Sequence, residues 1–287
     1  MSYQFTMYPT RTAGRGTAIV FAALVVAAGA SYLFAACGER NPDQASAGES
    51  VVATPTPAPS PTPVPPVQPP TTPADFYKVG RDAWRAGDLG RAESAFVQVL
   101  ALDSTHVKSR LYLSRVLLES GRAEDALVQI DAAIALDSSS SEPFRLQGRA
   151  YQALGRTDEA ITAYKRAIVT NDGDVWALNN LGSLYIKLGR FEDALGPIAR
   201  AIELEKNVAI FHNNLGTALE KTGHFTAAAE AYRGALAVEG TYGPAAENLA
   251  RVEQLTEDPA TPPVDLAAVS KQFQDQVAQW KQGGGGS

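Results

Sequence analysis

The side chains that most often carry out catalysis or bind metals are few and scattered in this sequence. The three histidines are His106, His212 and His224, and no two share the spacing of three or four residues that pairs metal ligands on a helix. The one cysteine, Cys37, ends an apolar run, and neither a G-x-S-x-G motif nor a G-x-x-x-x-G-K-[ST] loop is present. We therefore predict no enzyme activity, no metal site and no cofactor.

The net charge argues against one class of protein, and the cysteine content excludes stabilisation by an intramolecular disulfide. Lys and Arg number 25 against 31 Asp and Glu, which gives a net charge of −6 and argues against a protein that coats nucleic acid. A single cysteine cannot form an intramolecular disulfide, so the fold must be stabilised by packing.

An uncharged segment at residues 17–36 predicts a membrane anchor. A helix of this length spans roughly 30 Å, which matches a bilayer core. Arg11 and Arg15 precede it, so the leader at residues 1–16 is expected in the cytoplasm and the rest of the chain on the extracytoplasmic, periplasmic side. The segment ending at Cys37 resembles a bacterial lipoprotein signal, in which this cysteine would be lipidated. A lipoprotein signal and an uncleaved transmembrane helix over residues 17–37 both stay open, and a soluble protein with a buried apolar helix is the third interpretation.

Residues 38–73 predict a spacer. Proline and threonine dominate this segment, which has almost nothing to bury, so we expect a disordered, semi-rigid linker between the anchor and the folded part. A proline-rich ligand for a partner domain is the alternative. The last five residues, 283–287, read GGGGS like a synthetic flexible linker and are left out of the fold.

The chain from residue 73 repeats every 34 residues. Three columns of mostly small residues keep this register through five copies, and their members are Gly80, Ser114, Gly148, Gly182 and Gly216; Gly87, Gly121, Gly155, Gly189 and Gly223; and Ala92, Ala126, Ala160, Ala194 and Ala228. The second column is expected to end a helix with positive φ, and the other two to let paired helices approach closely. In the fourth copy the predicted core residues are Leu181, Tyr185, Leu188, Ile198, Ala201 and Ile202.

These columns resemble the tetratricopeptide repeat (TPR). The third copy carries the family pattern as Gly148, Tyr151, Ala160, Tyr164 and Ala167. The resemblance implies an all-α, right-handed solenoid of five helix-turn-helix repeats at residues 74–256, with repeats near 73–106, 107–140, 141–174, 175–208 and 209–242 and a capping helix at 244–256. A further amphipathic helix is predicted at 264–282, either as a second cap or as an exposed helix that binds a partner or membrane.

The resemblance also implies a concave groove lined by the first helix of each repeat. Basic residues are concentrated in its first three repeats: Lys78, Arg81, Lys108, Arg115, Arg145 and Arg149. They would attract an acidic peptide, or they form a solvated basic face partly neutralised by Glu119 and Glu142. The last two repeats carry the pairs Asn179 with Asn180 and Asn213 with Asn214, whose amides could hold the backbone of an extended peptide. The resemblance implies this role for Asn180 and Asn214, and hydrogen bonding between adjacent repeats is the alternative for these two.

Three functions follow as hypotheses. The first is a membrane-tethered scaffold or adaptor of the bacterial cell envelope that binds a protein or peptide in its groove. The second is a constitutive structural subunit of a larger membrane complex, docked through the C-terminal helix or the solenoid edge. The third is an envelope-polymer binder, for which Trp84 and Trp176 are the candidate aromatic platforms.

Overall fold

The computed structural model describes residues 70–283, which form twelve α-helices and no strand. The predicted leader and anchor, the predicted linker up to residue 69, and the predicted tail from residue 284 lie outside the described residues. Within the described part of the chain, no helix is both long and apolar enough to cross a membrane.

The first ten helices form five hairpins, one for each predicted repeat. Their bounds are α1 Pro73–Arg85, α2 Leu89–Leu102, α3 Val107–Glu119, α4 Ala123–Leu136, α5 Glu142–Ala153, α6 Thr157–Thr170, α7 Val175–Lys187, α8 Phe191–Leu204, α9 Ala209–Lys221 and α10 Phe225–Val238. Two more helices follow, α11 Gly243–Val252 and α12 Leu266–Gln282. The architecture is the predicted all-α solenoid.

A glycine with positive φ separates the two helices of every hairpin. The φ angles of Gly87, Gly121, Gly155, Gly189 and Gly223 lie between 72° and 86°. In the first hairpin the backbone N–H of Asp88 donates to the carbonyl of Ala83 across 2.9 Å, which closes the turn around Gly87. Because residues with a Cβ are strained in this region, the prediction that this column ends the first helix is confirmed.

The earlier glycine column lets an aromatic ring of the second helix lie against the backbone of the first. A Cβ atom at Gly148 would come within 2.5 Å of Tyr164 Cε1, and one at Gly216 within 2.5 Å of Tyr232 Cε1. Both tyrosine rings are fully buried. Contact of this kind fixes the distance between the two helices of a hairpin.

Most predicted core residues of the fourth repeat are buried, and two leucines at helix ends are exposed. Leu181, Ile198 and Ala201 are fully buried. Leu188, predicted in the core, is 41% exposed at the C-cap position that follows the last residue of α7. Leu255, predicted on the capping helix, is 44% exposed because α11 already ends at Val252.

Helix α11 covers the end of the fifth repeat as predicted. The buried carboxylate of Glu220 on α9 accepts from Arg251 Nη2 on α11 at 2.7 Å and from the Tyr232 hydroxyl on α10 at 2.9 Å. One side chain thus joins three helices, which fixes α11 by charge-assisted hydrogen bonds as well as by packing.

The hairpins present two different faces. The first helices of neighbouring repeats, such as α3 with α5 and α7 with α9, pack directly on each other. We call the surface formed by α1, α3, α5, α7 and α9 the inner face, and that formed by α2, α4, α6, α8 and α10 the outer face.

The C-terminal helix α12 lies on the outer face. It packs against α8 and α6, not as a second cap on α11 and not as a free helix. The apolar side of this amphipathic helix packs against the solenoid. Phe273 and Val277 are buried, and Trp280 packs edge-on against Phe273 with ring centroids 5.7 Å apart. Neither predicted location for this helix was correct, because this apolar side is satisfied by repeats that the sequence pattern alone did not single out.

Candidate protein-binding face

The inner face is where the predicted groove residues lie. All ten belong to first helices: Lys78 and Arg81 to α1, Lys108 and Arg115 to α3, Arg145 and Arg149 to α5, Asn179 and Asn180 to α7, Asn213 and Asn214 to α9. Lys78 and Lys108 lie toward solvent, whereas the four arginines are half-buried.

Two of the four arginines are held by acidic side chains. Arg115 forms an ion pair with Glu142, and its guanidinium lies 5.1 Å from the ring centroid of Tyr112. Arg145 Nε lies 3.2 Å from Asp174 Oδ2, and this carboxylate is also buried from solvent. The predicted neutralisation of the basic face by Glu142 is thus confirmed for Arg115.

Asp174 was missed as a site residue, and its position explains both of its roles. Oδ1 accepts from the backbone N–H of Ala177 and caps the N-terminus of α7, while Oδ2 binds Arg145 and the Ser141 hydroxyl. An aspartate directly before a helical segment is a recognisable capping signal. The sequence could therefore have indicated the cap, but not the second partner, which comes from the preceding repeat.

The other two arginines have no acidic partner among residues 70–283. Arg149 makes neither an ion pair nor a side-chain hydrogen bond there. The guanidinium of Arg81 lies 5.6 Å from the ring centroid of Tyr77, and its Nε is buried without a hydrogen-bond acceptor. Arg81, Arg115 and Arg149 lie 34 residues apart and occupy the same position of successive repeats. Arg115 is neutralised, whereas Arg81 and Arg149 keep donors without an acceptor among residues 70–283.

Burial makes the charge on Arg149 costly. Removal from water lowers the pKa of its guanidinium, and the positive charges of Arg145 and Arg115 lower it further. Tyr164 and Glu119 act in the opposite direction. The pKa of this half-buried guanidinium is therefore lowered, mainly by its burial.

The asparagine pairs form a ladder between repeats. Asn214 Nδ2 donates to Asn179 Oδ1 across 2.9 Å, and Asn248 Nδ2 on α11 donates to Asn213 Oδ1 across 3.0 Å. Asn179 and Asn213 are buried. These two residues, proposed as groove contacts, therefore accept hydrogen bonds from the next repeat or the cap. The predicted alternative of a link between adjacent repeats is confirmed for Asn214, which donates to Asn179.

Asn180 stands at the open end of this ladder. The equivalent partner in the preceding repeat would be Arg145, which is already bound to Asp174. Asn180 is half-buried and makes no side-chain hydrogen bond to any residue that the structure describes. Asn214 keeps its amide oxygen free of partners in the same part of the chain. These two amides can both donate and accept at the inner face.

The two tryptophans are packed against neighbouring repeats. Trp84 Nε1 donates to Glu119 across 3.1 Å, and its ring stands edge-on to Tyr112. Trp176 stands edge-on to the ring of Phe211 with centroids 5.1 Å apart. Both rings therefore contribute to packing between adjacent first helices, which leaves less of their faces open to a sugar ring. Within residues 70–283, no three His, Cys, Asp or Glu side chains are grouped as metal ligands.

Comparison with known families identifies this architecture. The model described as "Tetratricopeptide repeat" matches residues 145–206 and 179–244. The model of the "Cilia and flagella-associated protein 70 middle TPR-like domain" matches residues 67–170, so the matches run through all five hairpins. The chain is a tetratricopeptide-repeat protein.

Several solved structures share the fold of this TPR protein. TTC0263, a thermophilic TPR protein of Thermus thermophilus, is 19% identical; the match covers 64% of this chain and 100% of that one, with a TM-score of 0.55. The pilF protein of Pseudomonas aeruginosa is 15% identical, with 75% and 93% of the two chains covered and a TM-score of 0.58. The Cut9–Hcn1 assembly of the APC/C is 18% identical; the match covers 74% of this chain and 42% of that one, with a TM-score of 0.59. A search of curated proteins gave no match to this TPR protein.

Proposed function

We propose that this protein is a TPR adaptor that binds an extended, acidic segment of a partner protein on its inner face. The observation that carries the proposal is Arg149, a half-buried cation without an acidic partner among the described residues. Groups that bear an unpaired charge in a partly desolvated position are candidates for ligand binding.

A carboxylate of the partner would bind at Arg149. Its charge would offset the repulsion from Arg145 and Arg115 and would give the guanidinium the acceptors it lacks. A hydrogen bond between charged groups stabilises a complex by about 1.5–3 kcal/mol. Arg81, whose buried Nε also lacks an acceptor, would receive a second acidic group nearer the N-terminus of the solenoid.

The amides of Asn180 and Asn214 would hold the backbone of the same segment. An asparagine side chain offers one acceptor and two donors, which match the N–H and C=O groups of an extended peptide whatever its side chains are. The arginines would thus select acidic partners, and the asparagines would add affinity that does not depend on sequence.

We further propose that residues 17–37 tether this adaptor to a bacterial membrane, with the solenoid on the periplasmic side. The support is the uncharged segment at 17–36, the preceding Arg11 and Arg15, and the spacer at 38–73. The anchor is either a lipid on Cys37 or the intact helix, and sequencing the N-terminus of the mature protein distinguishes the two.

Photocrosslinking in native membranes tests the adaptor function. A photoreactive amino acid at Ser183, which lies on α7 between the arginines and Asn214, should capture the partner for identification by mass spectrometry. We expect Arg149→Ala to lower capture about tenfold, as the loss of one charged hydrogen bond implies.

The matched control is Arg91→Ala, because Arg91 is an exposed arginine on the outer face. This variant should capture the partner as the native chain does. If capture is equal in the native chain and in Arg149→Ala, the acidic-peptide proposal is wrong, and a constitutive subunit docked through another surface becomes the better explanation.

A further inference from the structure

The site that α12 occupies is specific to one repeat. A Cβ atom at Gly196 on α8 would come within 2.8 Å of Phe273 Cβ, so Phe273 of α12 lies directly on the α8 backbone. The equivalent positions of the other repeats carry Ser94, Val128, Thr162 and Glu230, each of which has a side chain. A buried proline, Pro197, follows Gly196 inside α8.

We call the contact surface around Gly196 that receives Phe273 the seat of α12, and polar contacts surround it. Lys281 Nζ on α12 lies 2.7 Å from Asp172 Oδ2, and Lys165 Nζ on α6 lies 4.8 Å from the centroid of the Trp280 ring. Gln274 Nε2 donates to Glu203 Oε2 at 3.5 Å. The seat therefore matches a helix with an aromatic, an aliphatic, an aromatic and a basic residue at the spacing of Phe273, Val277, Trp280 and Lys281.

The outer face does not need such a cover in order to fold. Val128 occupies the position equivalent to Gly196 in the second repeat and is 64% exposed, with no helix lying over it in the described chain. Three residues of α12, Ser270, Phe273 and Val277, are themselves buried, and a pocket of about 290 Å³ beside Ile168, Leu178 and Ala278 stays open to solvent along the helix. Its main packing is against α8 and α6, so it can leave the outer face without opening a hairpin.

We propose that the outer face of the third and fourth repeats is a second protein-binding site, which receives an amphipathic helix of a partner with the pattern of α12 and which α12 occupies until that helix displaces it. The site is separate from the inner face, so the proposal does not depend on the adaptor function above. The chain would then carry one open binding surface and one that its own C-terminal helix covers.

A peptide of residues 264–282 is the probe for this site. In the full chain, Phe273→Asp places a charge on the buried seat and should release α12. We expect fluorescently labelled peptide to bind this variant, and to bind the native chain at least tenfold more weakly, because the tethered helix competes at an effective concentration of order millimolar. Addition of Gly196→Val to the released variant should abolish peptide binding, because the new side chain fills the seat of Phe273.

The control is Glu230→Val, which introduces the same side chain at the equivalent position of the fifth repeat, where α12 does not pack. It should leave peptide binding to the released variant unchanged. If the released variant keeps its helical circular dichroism but does not bind the peptide, the proposal is overturned.

Two measurements on the native chain complete the test. In hydrogen exchange, the amides of α12 should exchange before those of α6 and α8; exchange only together with those helices would make α12 a fixed part of the fold and overturn the proposal. A native dimer that Phe273→Asp converts to a monomer would also overturn it, because the occupant would then be α12 of a second copy.

Discussion

The side-chain amide of Asn214 donates a hydrogen bond to Asn179 Oδ1 across 2.9 Å, from the fifth repeat to the fourth. The four predicted groove asparagines therefore have three different roles. Asn179 and Asn213 are buried acceptors between repeats, Asn214 is a donor between repeats, and Asn180 keeps its amide unbonded among the described residues.

The division predicts opposite phenotypes for adjacent residues. Asn179→Ala removes the acceptor of Asn214, so we expect the free energy of unfolding to fall by about 1–2 kcal/mol. Asn180→Ala should change it by less than about 0.5 kcal/mol and should instead weaken partner capture. Urea unfolding and the Ser183 crosslinking assay measure the two effects. Equal stability loss in both variants would show that Asn180 also links repeats.

The contact between Gly148 and Tyr164 predicts a strong dependence on one methyl group. Gly148→Ala would place Cβ within 2.5 Å of the tyrosine ring, so we expect the free energy of unfolding to fall by about 1–3 kcal/mol. Gly90→Ala is the matched control, since Gly90 lies in α2 with nothing within 4 Å of the added Cβ. The control should be neutral or more stable by up to about 1 kcal/mol in urea unfolding. A neutral Gly148→Ala would mean that the hairpin can separate without cost.

The buried tyrosines predict a loss of stability in alkaline solution. Burial raises the pKa of Tyr164 and Tyr232 well above the value of about 10 for free tyrosine. Above pH 10 the unfolded chain therefore releases phenolic protons that the folded chain retains. The free energy of unfolding should then fall by up to about 1.4 kcal/mol per pH unit for each residue.

Urea midpoints between pH 9 and pH 11 measure this dependence. The Tyr164→Phe and Tyr232→Phe variants, which have no phenol at these positions, should each show a shallower decline than the native chain. Unchanged slopes in both variants would contradict the assignment of the alkaline transition to these two residues.

The cavity beside α12 predicts a stabilising substitution. Ala278 is exposed at the rim of this open pocket of about 290 Å³, whereas Ala267 does not line it, so Ala278→Leu should cover part of the pocket and slow hydrogen exchange of α12. A gain of about 0.5–2 kcal/mol in docking is expected for a substitution that fills a cavity. Ala267→Leu, on an exposed position of the same helix, is the control and should leave the exchange rate unchanged. Faster exchange in Ala278→Leu would mean that the space cannot admit a larger side chain.

The repeat architecture could be predicted from the sequence because its determinants are local and recur five times. Each positive-φ glycine acts on its own turn, and each small residue accommodates a side chain sixteen positions later in the same hairpin, as Gly148 does for Tyr164. Helix ends were less predictable, since Leu188 and Leu255 fit the periodic pattern but lie beyond the last turns of their helices.

The positions of the groove residues were also predictable, because the repeat register places them on first helices. Their roles were not. Whether Arg145 is free depends on Asp174, and whether Asn213 is free depends on Asn248, and each of these partners belongs to the neighbouring repeat or cap. Periodicity specifies which face a residue occupies but not which side chain of the next repeat reaches it.

The sequence by itself thus determined the family, the hairpins and the basic and amide-bearing halves of the inner face. The tertiary structure decided which of those side chains are already bonded, leaving Arg81, Arg149 and Asn180 with unused hydrogen-bonding groups, and it decided where α12 lies. The physical reason is range: hairpin turns are determined by residues near in sequence, whereas the docking of α12 depends on Gly196, a residue far from Phe273 in the chain whose missing side chain makes room for a ring.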